Sequence, residues 1–279
     1  MTPRTYPEIV ETAAGEAEAE ELVLVERDGA AATVTLNDPE RLNPLSAALT
    51  VVLRRSLEEL ARDETLRSIV LTGTDPAFSA GGDLRLMRDA AEPVLAEGEG
   101  APELWRWIRM EFGGIARLIT RTDKTFIAAV NGAAAGVGLA FALACDLILV
   151  SERAVLVPAF SRIGLLPEVG TSWALTRRIG YQRTFELFAG GRHLNGAEAA
   201  ELGIANSLHE HDQLLPAARD WCERIERLPD HVARMIKPLL RSAADATWET
   251  AIAMEEFAEP QCFTTPAHRA AVAELLAAS

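Results

Sequence analysis

Two glycine-bearing turns constrain this chain more than any other feature. One is Phe78-Ser79-Ala80-Gly81-Gly82-Asp83-Leu84; the other is Asn131-Gly132-Ala133-Ala134-Ala135-Gly136-Val137-Gly138. Each follows a short β-branched or apolar run, Ser68–Thr72 before the first and Phe126–Val130 before the second, and each leads into a stretch that reads as helix. A glycine turn between strand and helix lets bare backbone N–H groups approach a ligand closely, at a helix end that favours negative charge. Two such turns aim two donors at one oxygen. That arrangement is an oxyanion hole, often the largest single contribution in acyl and enolate chemistry.

The units around these turns repeat strand, turn and helix, which points to an α/β fold with crossover connections. Leu22–Arg27 and Ala31–Leu36 read as a hairpin around Asp28-Gly29. Asn37-Asp38-Pro39 breaks the second strand, and Ser46 serves as N-cap for a helix running to about Asp63. Residues 88–121 read as helical, with a mobile insertion at Glu97-Gly98-Glu99-Gly100-Ala101-Pro102. After the second turn come a small-residue helix, Gly138–Ala144, and a strand, Asp146–Val150. Beyond Glu168 the chain reads almost entirely as helix. Residues 1–20, acidic and Ala-rich, read as a disordered tail. Residues 21–212 form the expected core, and 213–279 a set of amphipathic helices that need another surface, a partner subunit being one candidate.

With 279 residues, 49% of them hydrophobic, the chain can bury a large core. A net charge of −14 argues against non-specific attraction to nucleic acid. Cys145, Cys222 and Cys262 give neither a disulfide framework nor a zinc pattern. The histidines form no metal pair at helical spacing, and His209 and His211, flanking Glu210, read as a solvated loop. No apolar run reaches the roughly 18–20 residues of a membrane span, and no signal peptide is evident. The expectation is a soluble cytoplasmic protein. A Walker-type phosphate loop and a dinucleotide fingerprint are both missing, so no nicotinamide, flavin or metal is expected.

Four ordered blocks resemble the crotonase, or enoyl-CoA hydratase/isomerase, superfamily. Pro39-Glu40-Arg41-Leu42-Asn43-Pro44-Leu45 resembles its early CoA-contacting loop, and Phe78–Leu84 and Asn131–Asp146 resemble its two oxyanion segments. Gly190–Ile204 resembles its segment leading into a later helix. The resemblance implies a spiral of ββα turns with a helical C-terminal oligomerisation region, a homotrimer or dimer of trimers, and an acyl-CoA thioester as substrate, with CoA part of that substrate and no separate cofactor. By position, the N–H groups of Gly82 and Val137 should hold the thioester oxygen, with Gly136 permitting the approach. Val at 137 suffices if its φ is negative, because the donor is the main chain. Ala80 and Leu84 would line the adenine and pantetheine path, with Arg41 and Leu42 on its other side. Arg41 either pairs a phosphate or is an ordinary exposed arginine. Asp83 reads as a helix cap.

The acids and bases decide the reaction. Hydration across a conjugated double bond resembles a task for two carboxylates that hold one water. The positions where hydratases of the family carry them read Ala140 and Phe160 here. A different carboxylate, Glu168, stands where one subgroup of Δ3,Δ2-enoyl-CoA isomerases carries its glutamate and related ring-modifying isomerases an aspartate. One acid/base is enough to move a proton between C2 and C4 of an enolate. The expectation is therefore a double-bond isomerase using Glu168. The alternatives are an acyl-CoA hydrolase or dehalogenase, an atypical hydratase, and a catalytically impaired acyl-CoA binder. Phe160 and Trp173 either wall the pocket or belong to the core. Trp105 and Trp107 either line the acyl tunnel or cover a subunit face.

Overall fold

A computed structural model describes residues 5–17, 21–88 and 101–278. Among them the strands form a six-stranded sheet, order β1-β2-β4-β7-β9-β12, a four-stranded sheet, order β11-β10-β8-β5, and a two-stranded ladder of β3 and β6. The large sheet comprises β1 (Val23–Asp28), β2 (Ala31–Leu36), β4 (Ser68–Gly73), β7 (Thr125–Val130), β9 (Leu147–Ser151) and β12 (Ser207–His209). The small one comprises β5 (Ala77–Ser79), β8 (Ala133–Ala135), β10 (Val155–Val157) and β11 (Leu194–Asn195), and the ladder pairs β3 (Pro44–Leu45) with β6 (Gly81–Gly82). The β1–β2 hairpin is antiparallel; β2, β4, β7, β9 and β12 run parallel, as do β5, β8 and β10. The successive pairs β4–β5, β7–β8 and β9–β10 each lay one strand in the large sheet and the next in the small one, the ββα spiral that the resemblance implies.

Alternation along the strands builds two cores, because successive side chains leave opposite faces. Phe126, Ala128 and Val130 of β7 and Ile148 and Val150 of β9 face the main core, which the Ala47–Arg62 helix covers with Leu49, Leu53, Leu57 and Leu60. Ser46 caps that helix by accepting from the Leu49 N–H at 3.2 Å. Val70, Ile127, Ala129 and Leu149 face the other side, where the Leu214–Glu226 helix lays Leu214, Ala218, Cys222 and Ile225 on them.

Of three expectations, the first and third need correction and the second gains detail. Within the expected disordered tail, Tyr6–Ala17 is a helix that buries Ala13. Tyr6 Oη donates to Glu111 Oε1 at 2.7 Å and Arg54 Nε to Glu111 Oε2 at 2.8 Å. Burial, then the Glu111 bond, push the Tyr6 phenol up to about 12. Partners far along the chain, not local composition, supply the burial that orders this segment. The second concerns residues 213–279, which are helical as expected and differ in the surface they meet. The Leu214–Glu226 and Asp230–Ala243 helices dock on the chain's own core, the latter through buried Lys237, whose Nζ reaches the Ile119 and Lys124 carbonyls and Asp146 Oδ2. The Trp248–Phe263 helix, by contrast, buries no residue. Third, His211 is no solvated loop residue: it bridges Ser151 Oγ at 3.1 Å and Asp75 Oδ2 at 2.9 Å. The expected insertion at 97–102 lies largely outside the described residues, which resume with the Ala101–Trp107 helix. Of the two tryptophans there, Trp107 is buried edge-on against Phe112, while Trp105 is exposed under Arg109.

Candidate active site

Parallel pairing of β5 with β8 sets the two glycine turns side by side. At Gly81 the contact is backbone on backbone, and at Gly138 it is backbone on the Ser79 side chain. A Cβ on Gly81 would stand 2.5 Å from the Ala135 carbonyl oxygen, and one on Gly138 would stand 2.6 Å from Ser79 Cβ, so any larger residue at either position would force the turns apart. Gly136 has a different constraint: its φ of +50° is a left-handed conformation, while its nearest neighbour, Phe160 Cε1, is 3.9 Å from an added Cβ. Val137 is not among the positive-φ residues, which meets the condition for valine there. It is the second residue of the Gly136–Ala144 helix, and the N–H groups of a first helical turn have no intrahelical acceptor.

The early loop locks onto the first turn through Asn43, a residue that sequence reasoning passed over. Asn43 is fully buried with φ +53°. Its Nδ2 donates to the Thr74 and Ala77 carbonyls at 2.8 and 2.7 Å, its Oδ1 accepts from the Asp38 N–H, and its carbonyl accepts from Ser79 Oγ. Ala80 N–H donates to the Leu42 carbonyl at 2.8 Å, and Leu45 registers with Gly82. The signal was available: asparagine tolerates the left-handed region better than most residues, and here it precedes a proline. This lock leaves Leu42, Ala80 and Leu84 exposed together beside the Gly81–Gly82 strand. Arg41 pairs with Asp38 at 2.5 Å and Asp83 at 3.7 Å, so its charge is matched within the protein. Asp83 Oδ1 accepts from the Arg85 N–H at 2.8 Å, as a helix cap does.

Glu168 leads into the Thr171–Ile179 helix. Its carbonyl accepts from the Thr171 N–H and Oγ1, and the next residue, Val169, has φ +56°. A β-branched side chain in that region is a strained outlier, a kind of strain that gathers at functional sites. Val169, Gly170, Trp173 and Ala140 line one cavity of about 280 Å³. Ala140 lies one helical turn beyond Val137, so the segment carrying Glu168 and the helix carrying that amide border the same space. Burial raises the Glu168 pKa above the ordinary carboxylate range, with no charged group or hydrogen bond acting against it. Among the described residues its carboxylate has neither ion pair nor side-chain hydrogen bond. Phe160 is buried against Phe188, with Gly136 beside it, whereas Trp173 is half exposed, with Arg177 over its ring. Phe160 is thus a buried core residue outside the lining of that cavity, and Trp173 lines it.

The sequence profile of the enoyl-CoA hydratase/isomerase family matches residues 26–274. The chain is 31% identical to the 1,2-epoxyphenylacetyl-CoA isomerase of Escherichia coli over 84% of its own length and 87% of that protein's. It is 28% identical to a 4-chlorobenzoyl coenzyme A dehalogenase of Arthrobacter, over 82% and 80%. Its fold superposes on an enoyl-CoA hydratase of Mycobacterium smegmatis with a TM-score of 0.83 at 26% identity, covering 92% and 96%. With the paired turns, this places the chain in the enoyl-CoA hydratase/isomerase family of the crotonase superfamily. Isomerase, dehalogenase and hydratase all stand among its relatives. No described helix is long and apolar enough to cross a membrane.

Proposed function

We propose that this enzyme shifts a double bond in an acyl-CoA thioester through an enolate, with Glu168 as its single acid/base. The reading rests on one observation: Glu168 is a half-buried carboxylate with a raised pKa and no ion pair among the described residues, directly before Val169, which lines a cavity together with Ala140. In a Δ3-enoyl thioester the Glu168 carboxylate takes the C2 proton, and the electron pair moves onto the thioester oxygen. The Gly82 and Val137 N–H groups stabilise that oxygen as charge develops there. The protonated Glu168 returns the proton at C4, the double bond settles between C2 and C3, and the carboxylate is regenerated. A carboxyl with a raised pKa suits both halves, since proton transfer is most efficient when the catalytic pKa lies near working pH. Ala140 and Phe160 offer no second carboxylate for holding a water, which weighs against hydration. Leu42, Ala80 and Leu84 give the pantetheine arm an apolar path with Arg41 at its edge. CoA enters as part of the substrate, and the reaction needs no metal or further cofactor.

The test is a panel of acyl-CoA thioesters followed for isomerisation, hydration and hydrolysis together, with wild type and Glu168→Gln. The expected result is double-bond migration, with little hydration, that Glu168→Gln abolishes while thioester binding persists. Full activity in that variant removes Glu168 from the mechanism. The dehalogenase relative supports a second reading, attack on substrate by the Glu168 carboxylate; a covalent ester on Glu168 detected by mass spectrometry would replace the first with it.

The assembly we propose is a homotrimer or a dimer of trimers. Trp248, Phe257, Leu275 and Leu276 are strongly exposed on the last two helices, which gives a partner subunit an apolar surface to cover. Sedimentation equilibrium at micromolar concentration tests it; a monomer would refute it.

A further inference from the structure

The far end of the cavity beside Ala140 is cationic. Its wall follows the Gly136–Ala144 helix from Ala140 to Leu143 and Ala144. At the helical rise, Ala144 stands about 10 Å along the axis from Val137. Arg117 and Thr120 of the Gly113–Arg121 helix line the space as well. Arg241 lines it at the helix C-terminus, where its Nη2 donates to the Ala144 carbonyl and to Asp146 Oδ1, both at 2.7 Å.

Charge at that end does not balance. Lys237 Nζ sits 2.8 Å from Asp146 Oδ2, and Arg178 Nη2 donates to the Leu143 carbonyl at 3.2 Å. Two cations, Lys237 and Arg241, therefore share Asp146, and Arg178 at the same helix end has no carboxylate partner among the described residues. The helix C-terminus offsets about half a charge of the excess. Arg117 adds another guanidinium, which donates to the Arg109 carbonyl and has no carboxylate partner among the described residues. Burial, and then the nearby Arg241 charge, lower the Arg178 pKa. In a chain of net charge −14, an unneutralised cationic cluster against a cavity is a place for an anion.

We infer that the acyl group accepted here carries a carboxylate at its far end, held by Arg117 and Arg241. The inference rests on the reading above and takes the acyl group to run from the two amides into this cavity. It names the substrate class as half-thioesters of dicarboxylic acids.

The test is calorimetric titration of the full chain with octanoyl-CoA and with octanedioyl-CoA bearing one free carboxylate, neither of which has a double bond to move. The carboxylated ester is expected to bind about tenfold to a hundredfold more tightly, less so as salt rises. Arg117→Gln is expected to erase most of that ratio, as is Arg241→Gln. Because Arg241 also caps a helix, Arg117→Gln decides the matter if Arg241→Gln fails to fold. Equal or weaker binding of the carboxylated ester by wild type overturns the inference, as does an unchanged ratio in Arg117→Gln. Isomerisation of neutral 3-enoyl-CoA without any preference for the carboxylated ester overturns it and leaves the isomerase reading standing. Preferential binding without isomerisation of any ester supports it and removes the isomerase instead.

Discussion

Gly81 and Ala135 are in direct backbone contact: a Cβ on Gly81, at its φ of +86°, would stand 2.5 Å from the Ala135 carbonyl oxygen. This contact fixes the spacing of the two turns, and with it the spacing of the Gly82 and Val137 amides. Gly81→Ala should therefore act on stability and on chemistry together. The left-handed backbone alone costs about 1–2 kcal/mol for alanine, and the overlap adds to that. Guanidinium denaturation should show a lower midpoint, and kcat should fall even where the protein is folded. Wild-type kcat in a folded Gly81→Ala protein would show that the turn spacing is not critical.

Val137→Pro removes one N–H while placing proline in the first helical turn, where its ring is tolerated. The expected loss is about 10²- to 10³-fold in kcat, the cost of one oxyanion-hole donor. Helix content by circular dichroism should be unchanged. Steady-state kinetics giving less than a few-fold loss would take Val137 out of the oxyanion hole.

Glu168→Gln should trade activity for stability. The activity loss should be about 10²- to 10⁴-fold, the usual contribution of a positioned acid/base. The stability effect has a sign that depends on pH. Burial raises the folded-state pKa of Glu168 above its unfolded value. Wild type therefore loses stability as pH rises from the unfolded value through the folded one. The variant carries no such cost. Its Tm should exceed wild type at neutral pH, modestly because Glu168 is partly exposed, and the gap should close in acid below the unfolded pKa. In the same way kcat/KM of wild type should climb with pH through the raised Glu168 pKa and then level off, since the free base must be ionised to take a proton. A flat acid limb would exclude Glu168 as the base.

Asn43→Ala should damage the CoA loop from beneath. It orphans the Thr74 carbonyl and the Asp38 N–H, leaves the Ala77 carbonyl only the 3.4 Å bond from Asn131 Nδ2, and puts alanine at φ +53°. Unsatisfied buried groups cost about 1–3 kcal/mol each before relaxation, so a loss of about 2–4 kcal/mol is expected. KM for the thioester should rise more than kcat falls, because Leu42 is displaced with the loop. Unfolding curves superimposable on wild type would refute the lock.

Much of this protein is written locally. The hairpin at Asp28-Gly29, the Ser46-capped helix and both glycine turns depend on dihedral preference and side-chain-to-backbone bonds within a few residues, so they were legible. So were the substitution of Ala140 and Phe160 at the hydratase positions and the presence of Glu168. The Tyr6–Ala17 helix was not legible, because its order depends on Glu111 and Arg54, distant in sequence. Asn43, an unremarked loop residue in sequence, holds three chain segments together. The charge state of the site also belongs to the tertiary structure. Nothing near Glu168 in sequence says that it is half-buried with no ion pair among the described residues, and nothing near Asp146 says that Lys237 and Arg241 arrive from a later helix to share it. Composition and local geometry determine which chemical groups the chain possesses. Their burial, their pairing and hence their proton affinity arise only when segments far apart in sequence exclude water from the same space, because desolvation and Coulomb interaction depend on distance in the fold rather than along the chain.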